Sequence, residues 1–372
     1  MGDVFYPRHK IRFFRRGFYI FVTDEANPQT CNANHINTMI NPPYTPAPTR
    51  YDGVMKYRRC GHSGILLPEI SLGMWHNFGD VNPLANSMEM AHYAFDNGIT
   101  HFDLANNYGP SYGSAEETFG LIMKKSFAPF RDELFISTKA GYDMWPGPYG
   151  NWGSRKYLTA SLDQSLSRMN LDYVDLFYSH RYDPETPLEE TLQTLVDIVR
   201  RGKALYIGIS RWPASAARKA YRYLAERDVP CLIYQGRYNM LDRADETDGI
   251  ISEAADNGAG YIAFSPLAQG LLTDRYLHGI PDDSRIAHGG HLKKEVLTTD
   301  MVRRIGQLNE IASRRGQTLA EMALAWILRD SKVTSVIVGA SSVSQLQKNL
   351  NALHSPAFSD EELRLIDTVT QP

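Results

Sequence analysis

From about Tyr57 onward the chain alternates short, almost wholly apolar runs with longer stretches whose apolar residues return every three or four positions. The runs 70–74, 99–105, 134–138, 174–179, 204–209, 231–234, 261–264 and 335–338 predict strands. Their near-continuous apolarity belongs to strands covered on both faces. Between them, 84–97, 114–125, 155–169, 187–201, 214–227, 248–257 and 318–329 predict helices, with another after Ser342. Thr186-Pro187 offers a cap followed by a proline in the first turn, and Glu189 and Glu190 suit the positive helix end. Asn97-Gly98 and Arg201-Gly202 read as helix stops, because glycine takes the left-handed conformation without steric cost.

Eight alternations with tight connections imply a parallel sheet with crossover helices. Eight is also the number at which such a sheet closes into a barrel. The longest insertions fall at 141–154, after the third strand, and 267–299, after the seventh. The competing architecture, an open doubly wound sheet, lacks its mark: no G-x-G-x-x-G follows any strand.

Of the 372 residues, 43% are hydrophobic, enough for one large core. The 39 basic and 42 acidic residues leave a net charge of −3 and no dense basic stripe in the barrel region, which argues against a nucleic-acid partner. Cys31, Cys60 and Cys231 lie too far apart for a C-x-x-C site or a disulfide framework, and a reducing, cytoplasmic setting fits them. No apolar run approaches the roughly 20 residues that span a bilayer. The segment Lys10-Ile11-Arg12-Phe13-Phe14-Arg15-Arg16, followed by Gly17-Phe18-Tyr19-Ile20-Phe21-Val22, has the charge order of a secretory signal. Its apolar part is shorter than the roughly 7–15 residues such signals use, and no small-residue cleavage site follows. Residues 1–55 are therefore read as an extension, disordered or not translated, with synthesis beginning at Met39 or Met55 in the second case. Within it, the Pro-, Tyr- and Thr-rich stretch 41–52 suits an extended linker. His288 and His291 flank two glycines and no H-E-x-x-H occurs, so no metal is expected.

One pattern points to chemistry. Asp103, Lys139, His180, Ser210, Gln235 and Ser265 each fall at or just beyond the carboxyl end of a predicted strand. In a parallel barrel these ends converge on one face, where active sites form. Polar residues also mark where strands simply stop, but a buried Asp or Lys needs a partner, and convergence supplies one. Hydride reduction of a carbonyl leaves an oxygen that must be protonated. A tyrosine can give that proton if its pKa, ordinarily about 10, is lowered by a nearby ammonium. Tyr108, five residues beyond Asp103, can reach back over the same mouth; Asp103 would hold Lys139, and His180 would polarise or orient the carbonyl. A strand-end lysine also serves as a Schiff-base nucleophile in other barrels, so a lyase using Lys139 stays open.

The segment His101-Phe102-Asp103-Leu104-Ala105-Asn106-Asn107-Tyr108-Gly109 resembles the Asp-to-Tyr signature of the aldo-keto reductase superfamily. Ser137-Thr138-Lys139 and Tyr178-Ser179-His180-Arg181 resemble its Lys and His segments, in the same order. Leu72-Gly73-Met74-Trp75-His76-Asn77-Phe78-Gly79 and the run Lys139 to Gly150 resemble the bacterial L-glyceraldehyde 3-phosphate reductase branch, which is related to the voltage-gated potassium channel β subunits. The resemblance implies a single-domain (β/α)8 TIM barrel over 56–372, with an N-terminal β-hairpin and inserted loops. It implies NADPH bound without a Rossmann motif, and a catalytic tetrad of Asp103, Tyr108, Lys139 and His180. Ser210 and Gln235 would bond the nicotinamide amide and Phe264 would stack on its ring, with Trp75, Asp103, Tyr108 and Arg211 also in contact. Ser265, Leu267, Gly270 and Leu271 would follow the pyrophosphate, and Arg275 and Arg285 would reach phosphates. Gly339, Ser341, Gln345 and Asn349 would hold the adenosine end, where Lys348 departs from the acidic residue often found. Independently, the Gly339-Ala340-Ser341-Ser342 turn before a helix offers free N–H groups to a phosphate.

Trp75, Tyr142, Trp145 and Trp152 are candidate substrate walls, with plain core packing as the alternative. The activity implied is NADPH-dependent reduction of small aldehydes, such as L-glyceraldehyde 3-phosphate or methylglyoxal, to alcohols in the cytoplasm. A slow NADPH-binding regulatory subunit is the alternative that the channel kinship allows. No membrane or nucleic-acid partner is expected, and a homo-oligomer stays open.

Overall fold

The predicted strands pair in chain order, each returned to its neighbour's side by an intervening helix. The structure, a computed structural model, describes residues 44–277, 279–281 and 292–370. A hairpin of β1 (Tyr57–Arg59) and β2 (Leu66–Pro68) precedes the barrel. The barrel strands are β3 (Ile70–Gly73), β4 (His101–Asp103), β5 (Phe135–Ala140), β6 (Val174–Ser179), β7 (Ala204–Ser210), β8 (Cys231–Arg237), β9 (Gly260–Phe264) and β10 (Val333–Val338). All pair in parallel, and β10 closes the cylinder by pairing with both β9 and β3. The first helices are α1 (Leu84–Asp96), α2 (Ser114–Ile122), α3 (Arg155–Met169), α4 (Leu188–Arg200) and α5 (Ala214–Ala225). They are followed by α6 (Ala244–Thr247), α7 (Ile250–Asp256), α8 (Thr299–Arg314), α9 (Leu319–Leu328), α10 (Val343–Leu350) and α11 (Asp360–Thr370). The (β/α)8 architecture is the expected one.

The strands differ from their predicted bounds in a way that matters for the site. β5 runs on to Ala140 and β8 to Arg237, so Lys139 pairs opposite Tyr178, and Gln235 opposite Ser210, inside the ladder. Both polar side chains are thereby fixed by the sheet. Helix α8 starts where the predicted insertion ends and was not expected, because its polar residues outnumber the apolar ones. Its buried face is Ile305, Leu308, Ile311 and Ala312, started by Thr298, whose hydroxyl accepts from the Met301 N–H at 3.1 Å. Helix α11, also unpredicted, is tied to it by Arg304, whose guanidinium donates to the Val369 and Thr370 carbonyls. The Thr186 cap is corrected too: Pro187 itself is the cap residue of α4, and Pro83 and Pro213 play the same part for α1 and α5. A proline there gives up no hydrogen bond, since the first N–H groups of a helix have no internal acceptor.

The hairpin closes the floor of the barrel. Cys60 and Leu67 are fully buried against Leu176, Tyr178, Ile233 and Ile262 from the strands. Residues 44–55, expected as extension and linker, instead pack on the outer helices from Tyr44 onward. The Tyr44 ring stacks on His92 at 3.9 Å and its hydroxyl donates to the Asp96 carboxylate at 2.8 Å, while Met55 is buried in the core. Among the described residues, no helix is long and apolar enough to cross a membrane.

Gly208 of β7 is a tight interior position: a Cβ built there would lie 2.6 Å from the Tyr178 ring and 2.9 Å from the Ile233 carbonyl oxygen. Gly208→Ala should therefore destabilise the barrel by about 1–3 kcal/mol, the usual cost of overpacking. Urea unfolding of the variant is the check; an unchanged midpoint would mean that Tyr178 moves aside freely.

Candidate active site

Strand geometry brings four of the predicted polar groups to one point. The Lys139 ammonium, with no exposed surface, donates to Asp103 Oδ2 at 2.6 Å, to the Leu104 carbonyl at 2.6 Å and to the Tyr108 hydroxyl at 3.4 Å. An ammonium has three protons and no lone pair, so all three are placed. The phenol's own proton therefore has no acceptor in Lys139 and is free for a ligand in the mouth. Asp103 Oδ1 in turn accepts from Ser137 Oγ at 2.7 Å and from Gln235 Nε2 at 3.1 Å. Every hydrogen-bond neighbour of the carboxylate is a donor.

The expected lowering of the Tyr108 pKa is corrected. Burial, reinforced by the negative Asp103 and by Tyr142, holds the phenol well above its ordinary value, with Arg211 opposing. Tyr108 is thus fully protonated, as a proton donor must be before it acts. Burial also lowers the pKa of Lys139, against the pull of Asp103. The His180 imidazole packs edge-on to Tyr108, ring centroids 5.8 Å apart, and edge-on to Tyr142 at 4.7 Å. Burial, then Lys139, Arg211 and Arg181, keep it well below its usual pKa, so it is neutral. Its buried Nδ1 has no hydrogen-bond partner among the described residues. Such an atom calls for a partner, an ordered water or a bound ligand.

Behind this cluster a chain of hydrogen bonds runs down the barrel interior. Ser137 spends its proton on Asp103, so it accepts from His101 Nε2 at 3.0 Å. The neutral imidazole then accepts at Nδ1 from Ser71 Oγ at 2.8 Å, and Ser71 accepts from Ser335 Oγ at 2.7 Å. The charge on Asp103 thus fixes each proton's direction back to β10. Sequence reasoning missed these residues, though a signal existed. His101 and Ser137 lie two positions before Asp103 and Lys139, and alternate residues of a strand share a face.

The wall residues separate. Trp75, its ring centroid 6.0 Å from that of Tyr108, and Tyr142 stand beside the tetrad, and Trp152 joins them through Arg181. Trp145 lies one layer back against Tyr157, at 5.1 Å, and so supports the wall. Arg211 donates to the Tyr142 hydroxyl at 3.2 Å. On the other side, Ser210 ends β7 beside Gln235, and Phe264 ends β9 with Ser265 next in a left-handed conformation (φ 53°). Leu267 is half-buried, Leu271 buried and Arg275 exposed; Gly339 has open space where a side chain would sit, whereas at Gly270 (φ 101°) a Cβ would touch the Tyr276 ring at 3.5 Å. Ser341 and Gln345 bond each other, the Ser341 N–H and hydroxyl both donating to the Gln345 side chain, at 2.8 and 2.9 Å. Asn349 is buried, and its Nδ2 is unpartnered among the described residues. The open Gly339 after β10 and the orphaned Asn349 amide on the helix that follows fit an extended, hydrogen-bonding cofactor. Arg285, His288 and His291 lie outside the described residues.

The mouth offers a ligand a proton and a neutral imidazole, and below them a charge pair already balanced. That defines an oxidoreductase of the carbonyl-reducing barrel class. Residues 69–371 match the Aldo/keto reductase family, and the chain belongs to it. It is 56% identical over 324 residues to an L-glyceraldehyde 3-phosphate reductase of Escherichia coli O157:H7, and 55% to that of strain K12; each alignment covers 86% of this chain and 93% of the relative. A probable voltage-gated potassium channel subunit beta of Arabidopsis thaliana is 35% identical over 305 residues, 80% of this chain and 91% of that one.

The buried imidazole of His101 makes stability depend on pH. Burial lowers its pKa from the usual 6.5 to about 4. Between these values the unfolded chain holds a proton that the folded one does not, so stability falls as pH drops from 6.5 to 4. One such group contributes about 3 kcal/mol over that window. His101→Gln keeps one donor and one acceptor but does not titrate, and should flatten the curve. Urea midpoints for both proteins at pH 7 and pH 4.5 decide it; parallel losses would exclude His101 as the cause.

Proposed function

We propose that the chain reduces small aldehydes to alcohols with NADPH, L-glyceraldehyde 3-phosphate first among them and methylglyoxal-like carbonyls besides. The observation that carries this reading is the Lys139 ammonium, 3.4 Å from the Tyr108 hydroxyl and 2.6 Å from Asp103 at the barrel mouth. Bound NADPH supplies a hydride to the carbonyl carbon. Tyr108 gives its proton to the carbonyl oxygen as charge builds there, and Lys139 steadies the phenolate left behind. His180 holds that oxygen in line, and Trp75 and Tyr142 exclude water around it. The relatives' names support the phosphorylated aldehyde.

The residues suited to hold NADPH are Trp75, Ser210, Arg211, Gln235, Phe264, Ser265, Leu267, Gly270, Arg275, Arg285, Gly339, Ser341, Gln345 and Asn349. We place the reaction in the cytoplasm, a setting supported by Cys60 and Cys231, both free and buried. The channel-subunit relatives favour a second reading, a slow NADPH-binding regulator. The three placed protons of Lys139 argue against a Schiff-base lyase, since a nucleophilic amine needs a lone pair and an approach.

Steady-state oxidation of NADPH against a panel of phosphorylated and unphosphorylated aldehydes tests the reading. Tight NADPH binding with negligible turnover throughout would favour the regulator. Tyr108→Phe should keep NADPH affinity and lose at least about a hundredfold in kcat, the low end for general-acid catalysis. A near-normal rate in that variant would remove Tyr108 from the mechanism.

A further inference from the structure

Arg181 follows the catalytic His180, and the structure gives it more than a loop arginine needs. Its Nε donates to the Gly141 carbonyl at 2.7 Å and its Nη2 to Asn151 Oδ1 at 2.7 Å. Its guanidinium lies over the Trp152 ring at 3.6 Å and over the Tyr142 ring at 4.3 Å. Trp152 is 40% exposed and holds a left-handed backbone (φ 73°), a conformation that costs a bulky residue energy unless its surroundings enforce it. The loop is strained, then, to keep an indole against this one cation.

What the clamp lacks is a counter-charge. Among the described residues no carboxylate pairs with Arg181 or with Arg211; Asp143 reaches Arg181 only through the Asn151 amide. Lys139 and Asp103 neutralise each other, so the Arg181 guanidinium stands beside His180 without a bonded carboxylate, and the exposed Arg211 meets it across Tyr142. Their fixed forks, one on the face of Tyr142 and one at its hydroxyl, suit a phosphate monoester, which carries about −1.5 to −2 at pH 7. The position excludes the dinucleotide's own phosphates. Arg181 and its loop follow β6 and β5, whereas Ser265, Arg275, Gly339 and Ser341 follow β9 and β10, on the opposite side of the closed barrel. Tyr142 sets the guanidinium one ring beyond His180, which suits a short aldehyde charged at its far end.

We propose that Arg181 forms an anion subsite that takes the phosphate of the substrate and makes phosphorylated aldehydes the preferred ones. This rests on the reductase reading above. The test compares glyceraldehyde 3-phosphate with unphosphorylated glyceraldehyde in the wild type, Arg181→Met and Arg181→Lys. Arg181→Met should lose at least about tenfold in kcat/KM for the phosphorylated aldehyde, chiefly through KM, and less than about threefold for the other. Arg181→Lys should recover part of that loss. Equal losses on both substrates, or none on either, overturn the subsite, as does an equal loss for glyoxylate, whose charge is a carboxylate. A second arm needs no turnover. Inorganic phosphate should change the Trp152 fluorescence of the wild-type enzyme saturably and leave Arg181→Met unaffected; the absence of a saturable change in the wild type overturns the subsite. If the wild type reduces neither aldehyde, the reductase reading fails while the phosphate titration still decides for or against the subsite.

Discussion

The buried pair of Lys139 and Asp103 is the constraint around which the rest of the site is arranged. Neither charge has appreciable access to water, and removing one partner from such a pair costs about 3–5 kcal/mol, because the survivor is left uncompensated. The barrel meets the requirement from three strands at once: β4 gives the carboxylate, β5 the ammonium and Ser137, and β8 the Gln235 amide. The parallel registers that bring them to one level follow from pairing in a closed cylinder, in which no strand can slip without carrying its neighbours. A rigid interior is therefore the condition for keeping an ammonium under a phenol.

The polarity of the chain below follows from the same charge. A carboxylate can only accept, so Ser137 must donate, His101 must carry its proton on Nε2, and Ser71 must donate to Nδ1. With burial keeping His101 neutral, one arrangement of protons satisfies all of these groups. A half-satisfied buried polar network is costlier than an apolar core, and here none of the groups between Asp103 and Ser335 is left without a partner. The floor of Cys60, Leu67 and Ile262 then keeps water out from below.

Most of this was legible in the chain. Apolar runs at regular spacing gave the barrel strands, and polar residues at their ends gave the cluster of Asp103, Lys139, His180 and Gln235 at the mouth, because strand order and strand ends are local properties. What escaped notice was set by packing. Helix α8 hides its apolar face among arginines and glutamines, and Tyr44 reads as part of a Pro-rich linker until His92 and Asp96 are seen to receive it. The phenol's pKa was predicted in the wrong direction, since the sequence displays the ammonium but not the depth of burial that outweighs it. Trp145 and Trp152 show the same limit: both are aromatic residues in one inserted loop, yet one packs on Tyr157 and the other on the Arg181 guanidinium.

Interior and rim thus divide the work by physical kind. Below the mouth, charges are matched and buried, so each group is held by its neighbours and the arrangement tolerates little change. At the rim the guanidiniums of Arg181 and Arg211 are held by aromatic faces, carbonyls and a hydroxyl. Those contacts orient a cation without neutralising it, so its field remains available to a ligand. A carboxylate partner would have cancelled that charge. The strained Trp152 backbone is consistent with that choice: the loop gives up local stability to keep a cation oriented and uncompensated next to the reacting groups.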